Sequence, residues 1–201
     1  MNMKLGRLVC AAAIAALPQV SHAVLLDFSQ VIPGGKEGNL GVSTYHIPNS
    51  PVTVDAFYLA PGAKAYTQSP NSKGVPVTLF VRNSDDDMGF GVCAPEDQSS
   101  SSCALGKKFK GGGGDTNELD NHGSSDLLRF KLDPAFKWRS VKLSSLSGDE
   151  GGQLWYSNVA GTAANLSSFA HLLTSYQGGH KDNLLDINLD GTKAERATYL
   201  Y

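Results

Sequence analysis

The sequence lacks a surplus of basic charge, an apolar run long enough to cross a membrane, and any cysteine beyond three in its 201 residues. With 17 Lys and Arg against 19 Asp and Glu, it has no clustered positive charge of the kind that draws a protein to nucleic-acid phosphates. The longest apolar stretch, Leu8 to Leu17, is about half of the roughly 20 residues a membrane-spanning helix needs. Several signatures of chemistry are missing as well: no Gly-x-Ser-x-Gly elbow, no His-Glu-x-x-His, no phosphate loop and no dinucleotide fingerprint. His46, His122, His171 and His180 are scattered and read as surface or turn residues.

What is present at the start is a three-part export signal. Lys4 and Arg7 precede the apolar run, and Pro18 and Ser21-His22-Ala23 follow it, which predicts cleavage after Ala23. Residues 24–201 are then expected to form a single domain, secreted to the periplasm, the cell surface or beyond. Removing two basic residues and no acidic one takes the formal charge from −2 to −4. Cys10 leaves with the signal, so Cys93 and Cys103, ten residues apart, are expected to bridge in an oxidising compartment. Closing so short a loop contributes about 3 kcal/mol in the chain-entropy relation. Zinc is the competing use, but two cysteines with no nearby histidine make only half a site.

Short alternating blocks rich in Val, Tyr, Phe and Thr, divided by Pro, Gly, Asn and Ser, are the pattern of strands joined by turns. They fall at Val24 to Phe28, Leu40 to Tyr45, Val52 to Leu59, Val75 to Arg82, Gly89 to Val92, Leu127 to Leu132, Ser140 to Leu146, Leu154 to Tyr156, Leu184 to Leu189 and Thr198 to Tyr201. This predicts an all-β fold, an antiparallel β-sandwich of jelly-roll or galactose-binding-like character. Val54, Tyr58, Leu79, Val81, Phe130, Leu132, Val141, Leu143 and Trp155 are the expected core. Phe169, Leu172, Leu173 and Tyr176 follow a helical spacing, with Asn165 or Ser167 to cap the start and Gly178 the end, so one short helix is expected near the C-terminus. A long polar connection, Ala94 to Ser125, holds the serine and glycine runs, and loops of that length are usually functional or mobile.

Acidic clusters supply the candidate sites. Asp115, Asn117, Glu118 and Asp120, followed by Asp126, place carboxylates and an amide beside Gly111–Gly114, and Ca2+ takes six to eight such oxygens from loops. The alternative is a solvated acidic turn. Asp85-Asp86-Asp87 is either an exposed turn or a share in a cation site. Asp186-Ile187-Asn188-Leu189-Asp190-Gly191 opens like a calcium loop, but Ala197 stands where a bidentate carboxylate is required. The alternation of Leu185, Ile187 and Leu189 favours a strand, with Asp190-Gly191 as a hairpin turn. Glu118-Leu119-Asp120 resembles the Glu-x-Asp start of a family of retaining β-glucan hydrolases, but His122 and Gly123 occupy the places where that family needs its further Glu. Trp138, Trp155 and several tyrosines could line a sugar platform, with burial in the core as the stronger alternative.

The stretch Asp87-Met88-Gly89-Phe90-Gly91-Val92-Cys93, then Gly114-Asp115 to Gly123, then Asp126-Leu127-Leu128-Arg129-Phe130 resembles exported proteins of the PEP-CTERM class. These are substrates of the exosortase sorting system in biofilm-forming Gram-negative bacteria. The similarity runs over about residues 85–157 and takes in Val141, Leu143, Asp149-Glu150 and Leu154. That class ends in Pro-Glu-Pro, an apolar helix and a basic tail, none of which stands in this sequence. Tyr199-Leu200-Tyr201 reads as the middle of a strand, so either the sequence is a piece of a longer chain or this relative is sorted differently. The resemblance implies a surface or matrix role and assigns no activity to particular residues. The expectation is an exported, non-enzymatic structural or adhesive component that meets extracellular polysaccharide or other surface components. A calcium-dependent carbohydrate-binding module and a glycosidase are the alternatives.

Overall fold

The computed structural model describes residues 38–83, 88–99, 103–104, 125–143, 151–177 and 185–201. Among these residues eleven strands follow in order: β1 (Gly38–Asn39), β2 (Thr44–His46), β3 (Val52–Leu59), β4 (Thr78–Asn83), β5 (Met88–Cys93), β6 (Ser125–Leu132), β7 (Ser140–Leu143), β8 (Gly151–Ser157), β9 (His171–Gln177), β10 (Leu185–Asn188) and β11 (Tyr199–Leu200). They form a six-stranded sheet in the order β2-β3-β6-β11-β8-β9, a three-stranded sheet β1-β4-β5 and a two-stranded sheet β10-β7. Every pairing is antiparallel. The fold is an all-β sandwich, as the alternation predicts.

Period-two burial explains the layering. On β3, Val52, Val54, Ala56 and Tyr58 face one core with Leu128 and Leu132 of β6 and Leu200 of β11. The two smaller sheets close that core with Leu79 and Val92 on one side and Leu189 and Ile187 on the other. Phe90 crosses between the layers, 6.5 Å from Phe130 and 6.4 Å from Tyr45 between ring centroids. Leu40–Tyr45 does not form one strand, because the chain there passes from the three-stranded to the six-stranded sheet. Gly41 takes φ +72° at the crossing, and its N–H is accepted by Asn39 Oδ1 at 2.8 Å. Such a φ favours glycine.

Cys93 and Cys103 are bridged, with their Cα atoms 5.6 Å apart. The disulfide packs on Phe80, the outward residue of β4, so β4 is buried on both faces. Gln98 fastens the same segment, donating to Thr78 Oγ1 at 2.7 Å and to the Cys93 carbonyl at 3.1 Å. Asn39 donates to the Cys103 carbonyl at 2.6 Å.

Two local expectations are corrected. The segment with helical spacing is the strand β9, preceded by a single 3-10 turn, Leu166–Ser168, whose start Asn165 caps through Ser167 N–H. The register explains the misreading: Leu154 faces Thr174 but Trp155 faces Leu172, which leaves Leu173 as a bulge. One inserted residue puts Leu173 and Tyr176, three apart, toward the same side, and so imitates a helical period. The second correction concerns Asp190-Gly191, which makes a turn but no hairpin. β10 pairs with β7, and after the turn the chain enters a 3-10 turn, Lys193–Arg196. Leu189, Ala194 and Ala197 are all buried, and that pull returns the chain to the core instead of back along β10.

Of the predicted core, Val54, Tyr58, Leu79, Val81 and Leu132 are buried. Phe130 and Val141 are half-buried against the main core, Trp155 is half-buried in a second cluster, and Leu143 is half-buried. Trp138 is core, with its indole N–H donated to the Ala197 carbonyl at 2.8 Å. Val24–Phe28 lies outside the described residues.

Candidate functional site

The outer face of the six-stranded sheet gathers the polar and aromatic groups. Strand register lines up Thr44, Asp55 and Arg129. With Leu200 opposite both Phe130 and Tyr156, the next residue, Tyr201, falls beside Arg129 and Trp155, and Leu172 completes the row. The strands supply this row because odd positions of β3, β6 and β8 all turn away from the main core.

Arg129 is the centre of the row. Its Nε and Nη2 donate to Asp55 Oδ2 at 3.0 and 2.8 Å, and Thr44 Oγ1 donates to Asp55 Oδ1 at 2.7 Å. The guanidinium lies 4.8 Å from the Phe57 ring centroid and 5.5 Å from that of Tyr199. With side chains only 17% and 9% exposed for Arg129 and Asp55, the pair is largely taken from water, where cation–π and charge-assisted bonds gain strength. Phe57, Leu127, Ala170 and Tyr201 are buried around it, with Tyr66, Trp155, Leu166 and Phe169 partly so. The lid is 159–170: the Gly161 N–H donates to Tyr201 Oη at 3.0 Å, and Tyr201 donates to the Val159 carbonyl at 3.2 Å. Burial pushes the Tyr201 phenol up from its ordinary pKa. Burial, and then the charge of Asp126, do the same for Tyr66.

Two of the three carboxylates of the calcium-like segment 186–197, those of Asp190 and Glu195, are taken by protein cations. Asp190 pairs with Arg139, while Asn188 Oδ1 accepts the Asp190 N–H at 2.9 Å. Glu195 accepts from Lys137 Nζ at 2.8 Å and from the Gly191 N–H at 3.0 Å. Those two bonds, the Lys137 one foremost, hold its carboxyl below the ordinary carboxylate range. Gly191, at φ +75°, makes the approach of that N–H possible.

Of the five residues expected to hold calcium, Asp115, Asn117, Glu118 and Asp120 lie outside the described residues, as does Asp85-Asp86-Asp87. Asp126 stands near the start of β6 with both carboxylate oxygens buried. Among the described residues no group of three or more His, Cys, Asp or Glu is placed to hold a metal ion. His46 is exposed, its Nδ1 3.2 Å from Thr53 Oγ1, and the His171 ring lies tilted with its centroid 5.3 Å from that of Tyr156.

Sequence reasoning missed the Asp55–Arg129 pair. The available signal was Asp55 as the lone charge in Val52 to Leu59 and Arg129 amid the leucines of Leu127 to Leu132, since a charge in a buried strand needs a partner. No helix among the described residues is long and apolar enough to cross a membrane. No protein-family model, curated protein or solved structure matches the chain.

Proposed function

We propose that this chain is an exported, non-enzymatic structural or adhesive component of a bacterial surface or matrix. One observation carries the reading: the charges paired on the outer face of the six-stranded sheet and around the turn after β10 are spent on one another. Arg129 is neutralised by Asp55 and clamped by two rings, Asp190 is held by Arg139, and Glu195 by Lys137. General acid–base work needs a group poised to exchange a proton with a substrate, and these groups instead hold strands and turns together. The disulfide suits an oxidising compartment, and the resemblance to PEP-CTERM proteins agrees with a sorted surface component.

The test is expression of the full chain in a biofilm-forming Gram-negative host, followed by fractionation and by retention on that host's exopolysaccharide. The expected product lacks residues 1–23, carries the disulfide, leaves the cytoplasm and stays with the matrix. A cytoplasmic protein with residues 1–23 intact would sink the reading. The proposed calcium loop, Asp115, Asn117, Glu118, Asp120 and Asp126, is tested separately by calorimetry and thermal unfolding in EDTA and then Ca2+. Binding to the folded form alone at 100 times the dissociation constant adds about 2.7 kcal/mol. The absence of both heat and a shift in melting temperature would return the loop to a solvated turn.

A further inference from the structure

Beyond Tyr201 in the row, the outer face of β8 and β9 is open. Trp155 stands opposite Leu172, Gln153 opposite Ser175 and Gly151 opposite Gln177. The Trp155 Nε1–H donates to Gln153 Oε1 at 3.0 Å, which puts both side chains on one face, and Leu154 between them is buried in the main core. Gln153, Leu172, Ser175 and Gln177 are exposed, and Trp155 is half-buried. The bulge at Leu173 makes this surface. In an uninterrupted strand Ser175 and Gln177 would lie on the opposite side from Leu172. The extra residue turns both outward and sends Tyr176 against Gly152, where a Cβ would strike its hydroxyl.

The five side chains carry no charge. The nearest charged residue in the row is Arg129, two strands from Trp155 with Tyr201 between them, and its charge is met by Asp55. Unlike the paired groups elsewhere on the sheet, the polar groups here are unengaged. With Gln153 Oε1 taken by the indole, the Gln153 amide N–H groups, the Gln177 amide and the Ser175 hydroxyl have no partner among the described residues. The patch follows four residue steps along β8, about 14 Å, and Gly151 adds no side chain to interrupt it. Amides and a hydroxyl both donate and accept, and an indole and a leucine beside them offer apolar surface. A sugar ring calls for that combination, since its C–H groups form an apolar face and each hydroxyl on its rim donates and accepts. A neutral sugar suits the patch better than an acidic one, whose charge would lose water with no cation to meet it.

We propose that this patch binds a neutral polysaccharide, with one sugar ring against Trp155 and Leu172 and the next bonded by Gln153, Ser175 and Gln177. The proposal rests on the reading of the chain as a matrix component and gives that component a ligand class and a face, with no need of calcium. One open patch holds a ring or two weakly. A repeating polymer meets many copies of the protein on a surface, so attachment is multiplied by number.

Affinity electrophoresis of the full chain, purified with its disulfide, tests this in gels holding a neutral glucan, a galactomannan or, as the charged comparison, alginate, all in EDTA. Expected is retardation by at least one neutral polymer and none by alginate. The double change Gln153→Ala with Gln177→Ala should weaken it about tenfold, the effect of losing one or two ordinary hydrogen bonds, at an unchanged melting temperature. Val42→Ser, at another exposed apolar position, should leave it as in the wild type. Because Trp138 is core, a change in tryptophan fluorescence on adding the polymer is expected to come from Trp155 and to vanish in Trp155→Phe. No retardation of the wild type by either neutral polymer overturns the proposal, as does equal retardation of the wild type and the double variant. Retardation by alginate as strong as by the neutral polymers also overturns it, and a dimer that the glutamine changes dissociate gives the patch to a second copy instead. A protein that is exported and kept in the matrix but fails here loses only this patch, whereas a cytoplasmic one fails the reading beneath it.

Discussion

On its inner face the six-stranded sheet presents Val52, Val54, Leu128 and Leu200 to side chains as apolar as themselves, whereas its outer face presents Asp55, Arg129, Tyr199 and Tyr201 beneath the segment 159–170. Around the Asp55–Arg129 pair the outer face is largely closed from water, as the inner face is, but for a different reason. Inside, burial alone is favourable and the cost of a change is a cavity. Outside, burial is tolerable only while every charge and hydroxyl keeps its partner, and the cost of a change is an orphaned group. The first face specifies shape loosely, and the second specifies which strand lies beside which.

Five variants would break or sharpen this contrast. The largest expected loss is in the core that covers the inner face, where Leu79→Ala on β4 should lower the unfolding free energy by about 4 kcal/mol, read by urea denaturation; a loss below about 1 kcal/mol would mean that Leu79 is not packed as described. Next, Asp55→Ala should cost about 3 kcal/mol by stranding Arg129. The double change Asp55→Leu with Arg129→Met should lose less than Asp55→Ala alone, because it strands nothing. If the double variant is the worse of the two, the outer face is governed by packing, and the contrast fails.

Smaller still, Tyr201→Phe removes the acceptor for Gly161 N–H and the donor to Val159 while keeping the ring against Phe169 at 5.4 Å. About 1 kcal/mol should be lost, and amide exchange across 159–170 should quicken with little change elsewhere. The smallest effect belongs to neither face. Glu195 is held below the ordinary carboxylate range by Lys137 first and then by Gly191. Its contribution is therefore full above the ordinary carboxylate pKa and fades as pH falls through the lowered value. Lys137→Met should flatten that acid limb in thermal unfolding, whereas the limb should survive intact in Tyr201→Phe.

The strands were legible because a half-buried strand writes its facing into alternate residues, and Val52 to Ala56 of β3 do so plainly. The helix expected at Phe169 to Tyr176 failed where a single bulged residue, Leu173, broke that alternation. Phe130 and Trp155 showed as apolar but not as half-buried, since exposure depends on what crosses above them. The disulfide could be read from two cysteines in a short interval. The outer-face pair could not be read from spacing, because Asp55 and Arg129 are 74 residues apart and meet only through the register of β3 and β6. The alternation of Leu185, Ile187 and Leu189 before Asp190-Gly191 suggested a hairpin for the same reason: local pattern gives the turn, and burial of Ala194 and Ala197 decides where the chain goes next.

The position of β11 also orders events in time. It is the last of the described strands in sequence but stands inside the six-stranded sheet, joining β2-β3-β6 to β8-β9. A chain that emerges from its N-terminus can assemble either half early, but the halves cannot be stitched together until Tyr199–Leu200 arrives. Contacts so distant in sequence make closure slow and leave two open edges waiting. During that interval those edges are the places where a holding chaperone would be of most use and where a stray strand would do most harm.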